Sequence, residues 1–315
     1  MRPVRFLARR LLLLAFVLAV VSVVIFGVVH ILPGDVATMI LGTSSTPEDL
    51  AALREKLGLT RPVGLRYLDW VSGTLRGDWG TSLLYKVPVR PLVLDRLQQS
   101  ALLAALALAV AVPLSIGLGV LSAVRRARVA DQVTSLVTLV AVSLPEFVWG
   151  TILILTLAYW WPVFPPSSMV DTRAGFARIA PALVLPVLTL VLGLLAHMTR
   201  MVRASMLETL DRPFVRAARL RGLRPRVVVL RHALRNALLP TVGIVAINVG
   251  YLIGGIFVVE TVFAYPGLGR LLVDAVSHRD VPVIQMAALS VAVTYALANL
   301  AADLVYAYLD PRIRY

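Results

Sequence analysis

Six stretches of the chain are apolar over about 20 residues or more, the length that a helix needs to cross roughly 30 Å of hydrocarbon. The polar segments between them contain all but two of the charged residues. This pattern predicts an all-α integral membrane protein with six transmembrane helices in a single domain, 1–315. The helices are predicted at residues 11–31, 99–124, 133–161, 181–199, 237–259 and 281–309.

The basic residues are unevenly distributed between the connecting segments. Of the 31 Lys and Arg residues, 19 lie in the 61 positions of segments 1–10, 125–132, 200–236 and 310–315, and 12 lie in the other 107 positions. Because basic residues accumulate on the cytoplasmic side of a membrane, we expect both termini to be cytoplasmic. The first apolar stretch exceeds the core of a signal peptide and lacks a small-residue cleavage site, so we interpret it as an uncleaved helix.

Composition narrows the possible chemistry. The net charge is +14 and the mean hydropathy is +0.84. The chain has no cysteine, which excludes disulfides, thiolate nucleophiles and cysteine-bound zinc. Its two lysines, Lys56 and Lys86, lie outside any phosphate-binding loop motif, and its four histidines lack the spacing of a metal site. We therefore expect no catalytic activity and no bound cofactor in this chain.

The first external loop, residues 32–98, contains signals for two helices. Residues 46–49 supply an N-cap hydroxyl, a proline and two acids, and Gly58 suits the end of that helix. The amphipathic stretch 61–75 predicts a second helix. We expect a small helical cap on the external face, which either covers the outer surface or docks an external partner.

Glu146 lies near the centre of the third predicted helix, where an ionisable side chain that faces lipid costs at least about 3 kcal/mol. It must be protonated, face a water-filled cavity, or pair with another subunit. Pro145 frees the carbonyl of Ala141, which then needs a cavity or a packed neighbour. Two interpretations stay open. Glu146, with Ser143 and Pro145, lines a translocation pathway and contacts a cationic group, or Glu146 is a structural carboxyl at a subunit interface.

Other features of the predicted helices favour packing. Asp303 lies near the cytoplasmic end of the sixth helix, at a depth that water can reach. Gly250, Gly254 and Gly255 form a small-residue face on the fifth helix that permits close contact with a neighbouring helix.

The cytoplasmic segment 200–236 contains ten arginines and two acids. Within it, Pro213 suits a first helical turn and Gly222 suits the left-handed position after the last turn, which predicts a short helix. Nucleic-acid binding lacks support from aromatic residues or a recognisable fold. Attraction to anionic lipid headgroups and docking into a partner's groove remain, and the helix–glycine arrangement favours docking. The residues assigned to this docking helix are Pro213, Phe214, Val215, Arg216, Ala217, Ala218, Arg219, Leu220 and Gly222.

The segment from Arg216 to Gly222, with the sequence RAARLRG, resembles the E-A-A-x-x-x-G coupling loop of permease subunits of ATP-binding cassette importers. The match is to the dipeptide, oligopeptide and nickel permease branch, and it covers the whole chain. Further segments agree in order along the sequence: LPGD at 32–35, GDWGTS at 77–82, HALRN at 232–236, ETVF at 260–263, PGLG at 266–269 and DPRIRY at 310–315.

The resemblance implies a type I importer fold and a set of partners. These are a second homologous permease, two ABC ATPase subunits that bind ATP and magnesium, an external substrate-binding protein, and the lipids of a bacterial or archaeal cytoplasmic (inner) membrane. Di- and oligopeptides are the implied substrates, and nickel chelates, glutathione and oligosaccharides are the alternatives. Candidates for contact with the external binding protein are Asp78, Trp79, Pro266 and Gly267.

Arg216 stands where the family motif has glutamate, so a coupling role is carried over only to Ala217, Ala218 and Gly222. Two other classes of function remain as alternatives: a membrane sensor or scaffold, and an intramembrane enzyme. The enzyme interpretation rests on Ser143 and Glu146, three residues apart on one predicted helical face, with no histidine nearby in sequence.

Overall fold

The computed structural model describes residues 2–31, 46–56, 60–169 and 175–309. Within these ranges all the regular secondary structure is helical, apart from one isolated bridge between Thr81 and Pro88, and loops connect the helices. The LPGD and DPRIRY motifs and the predicted helix end at Gly58 lie outside the described residues, and so do the side chains at 239–249.

The helices are numbered in chain order. Two segments, Leu155–Trp160 and Val228–Ala233, are π-helical. The α-helices are α1 (Arg2–Ile31), α2 (Pro47–Lys56), α3 (Val63–Arg76), α4 (Val89–Val124), α5 (Val129–Ser143), α6 (Glu146–Ile154), α7 (Phe176–Leu210), α8 (Pro213–Leu220), α9 (Pro225–Val227), α10 (Leu234–Val262), α11 (Leu268–Ser277) and α12 (Val281–Leu309).

The chain divides into two compact units. The first contains Met1–Gln98 and Arg270–Thr294, and the second contains Gln99–Gly269 and Tyr295–Tyr315. The first unit includes α1, α2 and α3. Helix α2 begins at Pro47, where the sequence signals place a helix start, and α3 overlaps the predicted amphipathic stretch. In α2 the Thr46 hydroxyl accepts the Asp49 N–H at 3.2 Å, as expected for an N-cap.

Among the described residues, four helices are long and apolar enough to cross a membrane: α1, α4, α7 and α12. They contain the predicted helices 11–31, 99–124, 181–199 and 281–309. A bent pair, α5 with α6 and its π-helical continuation, passes the same test when taken together. The predicted fifth helix, 237–259, lies within α10.

The prediction of one continuous helix over 133–161 was wrong. Helix α5 ends at Ser143, Leu144 is extended (φ −110°, ψ 137°), and α6 begins at Glu146 with a bend of 100° between the two. Pro145 is the physical reason, because a proline ring lacks an N–H and disfavours the helical conformation of the residue before it. The break puts Glu146 in the first turn of a new helix.

Helix α7 is the central helix of the second unit. Its most apolar window is 67% buried, and it contacts α5, α6 and α10. Leu190, Leu194 and Met198 of α7 lie in one core cluster with Ala107 of α4 and Ile256 of α10. The broken pair of α5 and α6 packs against α7, and α6 also packs against α10.

Candidate translocation site and cytoplasmic docking helix

The Glu146 carboxylate lies in a recess formed by two glycines. A Cβ added at Gly255 of α10 would lie 2.5 Å from Oε2, and one added at Gly193 of α7 would lie 3.0 Å from Oε1. The side chain is half-buried, and no residue in the described part of the chain donates a hydrogen bond to it. Gly255 therefore makes room for a carboxylate of the same chain, which the packing interpretation of the glycine face did not predict.

The carbonyl freed by Pro145 has a partner. The Trp149 indole Nε1 donates a hydrogen bond to the Ala141 oxygen at 3.0 Å, across the break. This satisfies the predicted requirement for a packed neighbour and links the end of α5 to the first turns of α6. The break is thus a hydrogen-bonded junction.

Ser143 is not paired with Glu146. Its exposed hydroxyl donates to the Leu139 carbonyl at 2.6 Å, within α5. The two residues do not share a helical face, because the chain leaves the helix between them at Leu144. The pairing on which the enzyme interpretation rested was therefore wrong.

An ion pair between the buried Asp131 and the half-buried Arg203 links the end of α4 and the start of α5 to α7. The Arg203 guanidinium donates to both Asp131 oxygens, at 2.8 Å from Nε and 2.9 Å from Nη2. The same carboxylate accepts from the Ser122 hydroxyl and from the Ala127 N–H. Sequence analysis missed this cluster, because Asp131 and Arg203 are 72 positions apart and neither belongs to a local motif.

The predicted docking helix is present as α8. It begins at Pro213 after an extended Arg212, and the chain turns away at Gly222, whose φ is +75°. Val215 and Ala218 are buried against Val202, Met206 and neighbouring residues of the second unit. The helix is thus anchored to its own chain along one face.

The opposite face of α8 is exposed. Leu220 is 89% exposed and Phe214 is 44% exposed, and the side chains of Arg216, Ala217 and Arg219 are also on the surface. The expectation that Ala218 belongs to the face offered to a partner was wrong. Val215 and Ala218, at i and i+3, form the buried stripe, which leaves Ala217 on the outside.

Asp78 and Trp79 lie in the loop after α3. The exposed Asp78 carboxylate accepts the Gly80 N–H at 3.1 Å, and the half-buried Trp79 indole donates to the Thr74 carbonyl at 3.3 Å. Further along the same motif, the Ser82 hydroxyl and the Leu84 N–H donate to the buried carboxylate of Asp280. The GDWGTS motif is therefore a loop that hydrogen bonds hold in one conformation.

Pro266 and Gly267 lie at a corner between α10 and α11. Gly267 is buried, and a Cβ there would lie 2.0 Å from the carboxylate of the fully buried Glu260. That carboxylate accepts from the Ser100 hydroxyl and, at 2.7 Å, from the Gly269 N–H. The Glu260 carboxylate of the ETVF motif thus packs against the PGLG motif and is hydrogen-bonded to it, and Gly267 is not on the surface.

Tyr265 closes this corner. Its ring is fully buried, and its hydroxyl donates to the Gln99 carbonyl at 3.0 Å. Burial and the nearby Glu260 charge raise the pKa of Tyr265, so the hydroxyl stays protonated as a donor.

Comparison with known proteins identifies the family. Residues 115–315 match the binding-protein-dependent transport system inner membrane component, and residues 3–97 match the N-terminal part of the same kind of membrane component. The chain belongs to this permease family. Both matches together extend over nearly the whole sequence, as the resemblance had indicated.

Alignments with similar proteins extend over almost the whole permease. The permease is 37% identical over 310 residues to a probable peptide ABC transporter permease of Sinorhizobium fredii, and the alignment covers 98% of this chain and 99% of the relative. It is 36% identical over 335 residues to the dipeptide transport system permease DppB of Escherichia coli, covering 99% of each. It is also 36% identical over 313 residues to the glutathione permease GsiC of Escherichia coli, covering 98% of the chain and 99% of the relative.

A solved structure supports the fold. The crystal structure of an amino acid ABC transporter with histidines matches 71% of the permease and 94% of its own chain, with a TM-score of 0.50 and 18% identity. The family match and the permease relatives show that the permease is a component of an ABC importer and a multi-pass membrane protein. In the residues that the structure covers, no group of His, Cys, Asp and Glu side chains has the arrangement of a metal site.

We predict different outcomes for alanine at two adjacent glycines. In Gly255→Ala the new methyl group displaces the Glu146 carboxylate. We expect transport in proteoliposomes to fall by about an order of magnitude, because contacting residues interact by about 0.5–3 kcal/mol. In Gly254→Ala the methyl group meets no atom within 4 Å, so transport should be retained. Both changes raise helix propensity equally, which makes the second variant a matched control. Equal transport by the two variants would contradict this assignment.

Proposed function

We propose that this permease forms half of the translocation pathway of an importer for di- and oligopeptides. The relatives named for peptide, dipeptide and glutathione transport support this substrate class, because each is matched over almost its whole length. Nickel chelates and oligosaccharides are the alternative cargoes of the same class of importer. Sensor, scaffold and enzyme functions have no comparable support.

The proposed topology has six spans and two cytoplasmic termini. The bent pair α5–α6 serves as the third span, and α10 serves as the fifth. The excess of basic residues in segments 1–10, 125–132 and 200–236 supports this orientation. It assigns α2 and α3 to the external side and α8 to the cytoplasm.

The observation that carries the proposed pathway is the recess around Glu146. The carboxylate is half-buried at a break in a membrane span, beside two glycines and without a hydrogen-bond donor in the described part of the chain. A carboxylate in that position needs water or a cation, because hydrocarbon does not solvate it. We infer that Glu146 contacts a cationic group of the cargo, such as the amino terminus of a peptide, and that Ser143 and Pro145 line the same stretch of the pathway.

The proposed partners are a second permease, two ATPases that bind ATP and magnesium, and an external substrate-binding protein. We assign α8 to ATPase coupling. The buried Val215 and Ala218 fix the helix to the permease, and the exposed Phe214, Ala217 and Leu220 are available to an ATPase. The Asp131–Arg203 ion pair holds the adjoining helix ends, so motion at α8 is passed to α7 and α5.

We propose that the external binding protein contacts the loop that contains Asp78 and Trp79. The exposed Asp78 carboxylate and the hydrogen bonds within this loop support an ordered, charged surface. The half-buried Pro266 is a second candidate. Gly267 acts only by allowing the corner at Glu260, since it is itself buried.

Two substitutions at Gly222 test the coupling helix. Gly222→Val places a β-branched residue at a φ of +75°, which costs about 1–2 kcal/mol, whereas Gly222→Asn tolerates that conformation. Since a Cβ here meets no atom within 4 Å, the effect is one of backbone conformation. We expect Gly222→Val to reduce ATPase co-purification about fivefold or more, with normal membrane insertion, and Gly222→Asn to retain it. Unchanged co-purification and transport in Gly222→Val would contradict the coupling role.

The variant Glu146→Gln tests cargo recognition. We expect import of a peptide with a free amino terminus to fall about tenfold or more, because a hydrogen bond between charged groups is lost. Import of the N-acetylated peptide should fall much less. The peptide pair is chosen so that the binding protein binds both equally, which makes the permease the source of any difference. Asp303→Asn, a second acid within a span, is the control and should not discriminate between the peptides.

A uniform loss for both peptides, or no loss for either, would remove the recognition role of Glu146. The first result would indicate a structural carboxyl at the permease interface. The second would indicate that cargo does not contact this residue.

A further inference from the structure

Helix α3 (Val63–Arg76) presents an apolar stripe to its surroundings. Leu68 is 60% exposed and Leu75 is 82% exposed, and the half-buried Val71 lies between them on the same side of the helix. A stripe of this kind on a helix of the external loop requires a covering, because leucines so exposed to water are unfavourable.

Aromatic contacts fix the depth of α3 against α1. The Tyr67 and Trp70 rings pack on Phe26, with ring centroids 5.4 and 5.8 Å away, and the Tyr67 hydroxyl lies 2.8 Å from the Ser22 hydroxyl. The apolar span of α1 ends at Val29. At 1.5 Å per residue, Phe26 lies about 4.5 Å and Ser22 about 10 Å inside that end. Helix α3 is therefore level with the hydrocarbon boundary, and not above it.

The surface of α1 continues the stripe. Val23, Val24 and Val28, at the depth where α3 packs, are each more than half exposed. In a helix apolar enough to cross a membrane, exposed valines at this depth are suited to contact acyl chains. The exposed leucines of α3 lie beside the residues that pack on α1, so one apolar surface extends over both helices.

The side of α3 next to the apolar stripe is charged. Asp69 forms an exposed ion pair with Arg61 at 2.7 Å, and Arg76 is exposed on the same side, about 100° around the helix from the apolar stripe. An apolar face beside a charged face is the pattern of a helix that lies in the plane of a membrane interface.

We propose that α3 is an interfacial helix, inserted into the leaflet at the C-terminal end of α1, and that phospholipid acyl chains cover Leu68 and Leu75. That this leaflet is the outer one rests on the orientation given in the proposed function. Docking of the external binding protein is thereby confined to the charged side of α3 and the loop that follows it.

The test uses the absence of cysteine from the chain. Single cysteines are introduced by Leu68→Cys and Leu75→Cys, with the adjacent positions Asp69→Cys and Arg76→Cys as matched controls on the charged side. Each is spin-labelled in the assembled transporter in nanodiscs of phosphatidylcholine and phosphatidylglycerol. Accessibility is then measured to oxygen, which partitions into hydrocarbon, and to a water-soluble nickel chelate.

We expect the oxygen-to-nickel accessibility ratio to be about threefold or more higher at 68 and 75 than at 69 and 76, as for a helix half-embedded in lipid. Equal ratios at all four positions would overturn the proposal, because the helix would then lie in water. Protection of 68 and 75 from both reagents would overturn it in favour of a protein partner. Peptide import by the same samples is measured separately, so loss of the proposed transport function is distinguished from failure of insertion.

Discussion

A carboxylate in a helix pair that is apolar enough to cross a membrane has to be kept away from hydrocarbon, and residues of the second unit meet that requirement at Glu146. Pro145 ends one helix and starts another, so the acid lies at a junction instead of on a continuous lipid-facing surface. Gly193 and Gly255 then provide the space for its oxygens. Because α7 and α10 carry these glycines and also contribute residues to the buried core, the site is built on helices that pack within their unit.

The other buried acids of the permease act differently. Asp131 and Glu260 each accept hydrogen bonds at both carboxylate oxygens, and each holds a connection between helices in one conformation. Glu146 has no such donor in the residues that the structure describes. A buried acid whose hydrogen bonds are complete is structural, whereas an acid left without donors beside a recess is available to a ligand. This contrast separates the candidate site from the scaffold.

Much of the architecture follows from local sequence. Proline and glycine at 213 and 222 predict the ends of α8, and the alternation of apolar and charged residues predicts α3. What the sequence does not reveal depends on contacts between distant segments. Ala218 is equivalent to Ala217 in local sequence, and only the packing of the Val215 side of the helix on the core distinguishes them. Gly255 has the pattern of a helix-packing residue, and only the 100° bend at Pro145 brings Glu146 next to it. The Asp131–Arg203 pair has no local signal at all.

The proposed role of Glu146 requires that this residue lies on a water-accessible path whose exposure changes during transport. In a chain without cysteine, the thiol introduced by Glu146→Cys reports this directly through its rate of reaction with a membrane-impermeant cationic thiol reagent. The rate is measured in the reconstituted transporter, without nucleotide and with the ATPases trapped by ATP and vanadate. We expect the thiol to react in at least one of these states, with a clear change of rate between the two. A thiol that stays unreactive in both states would contradict it.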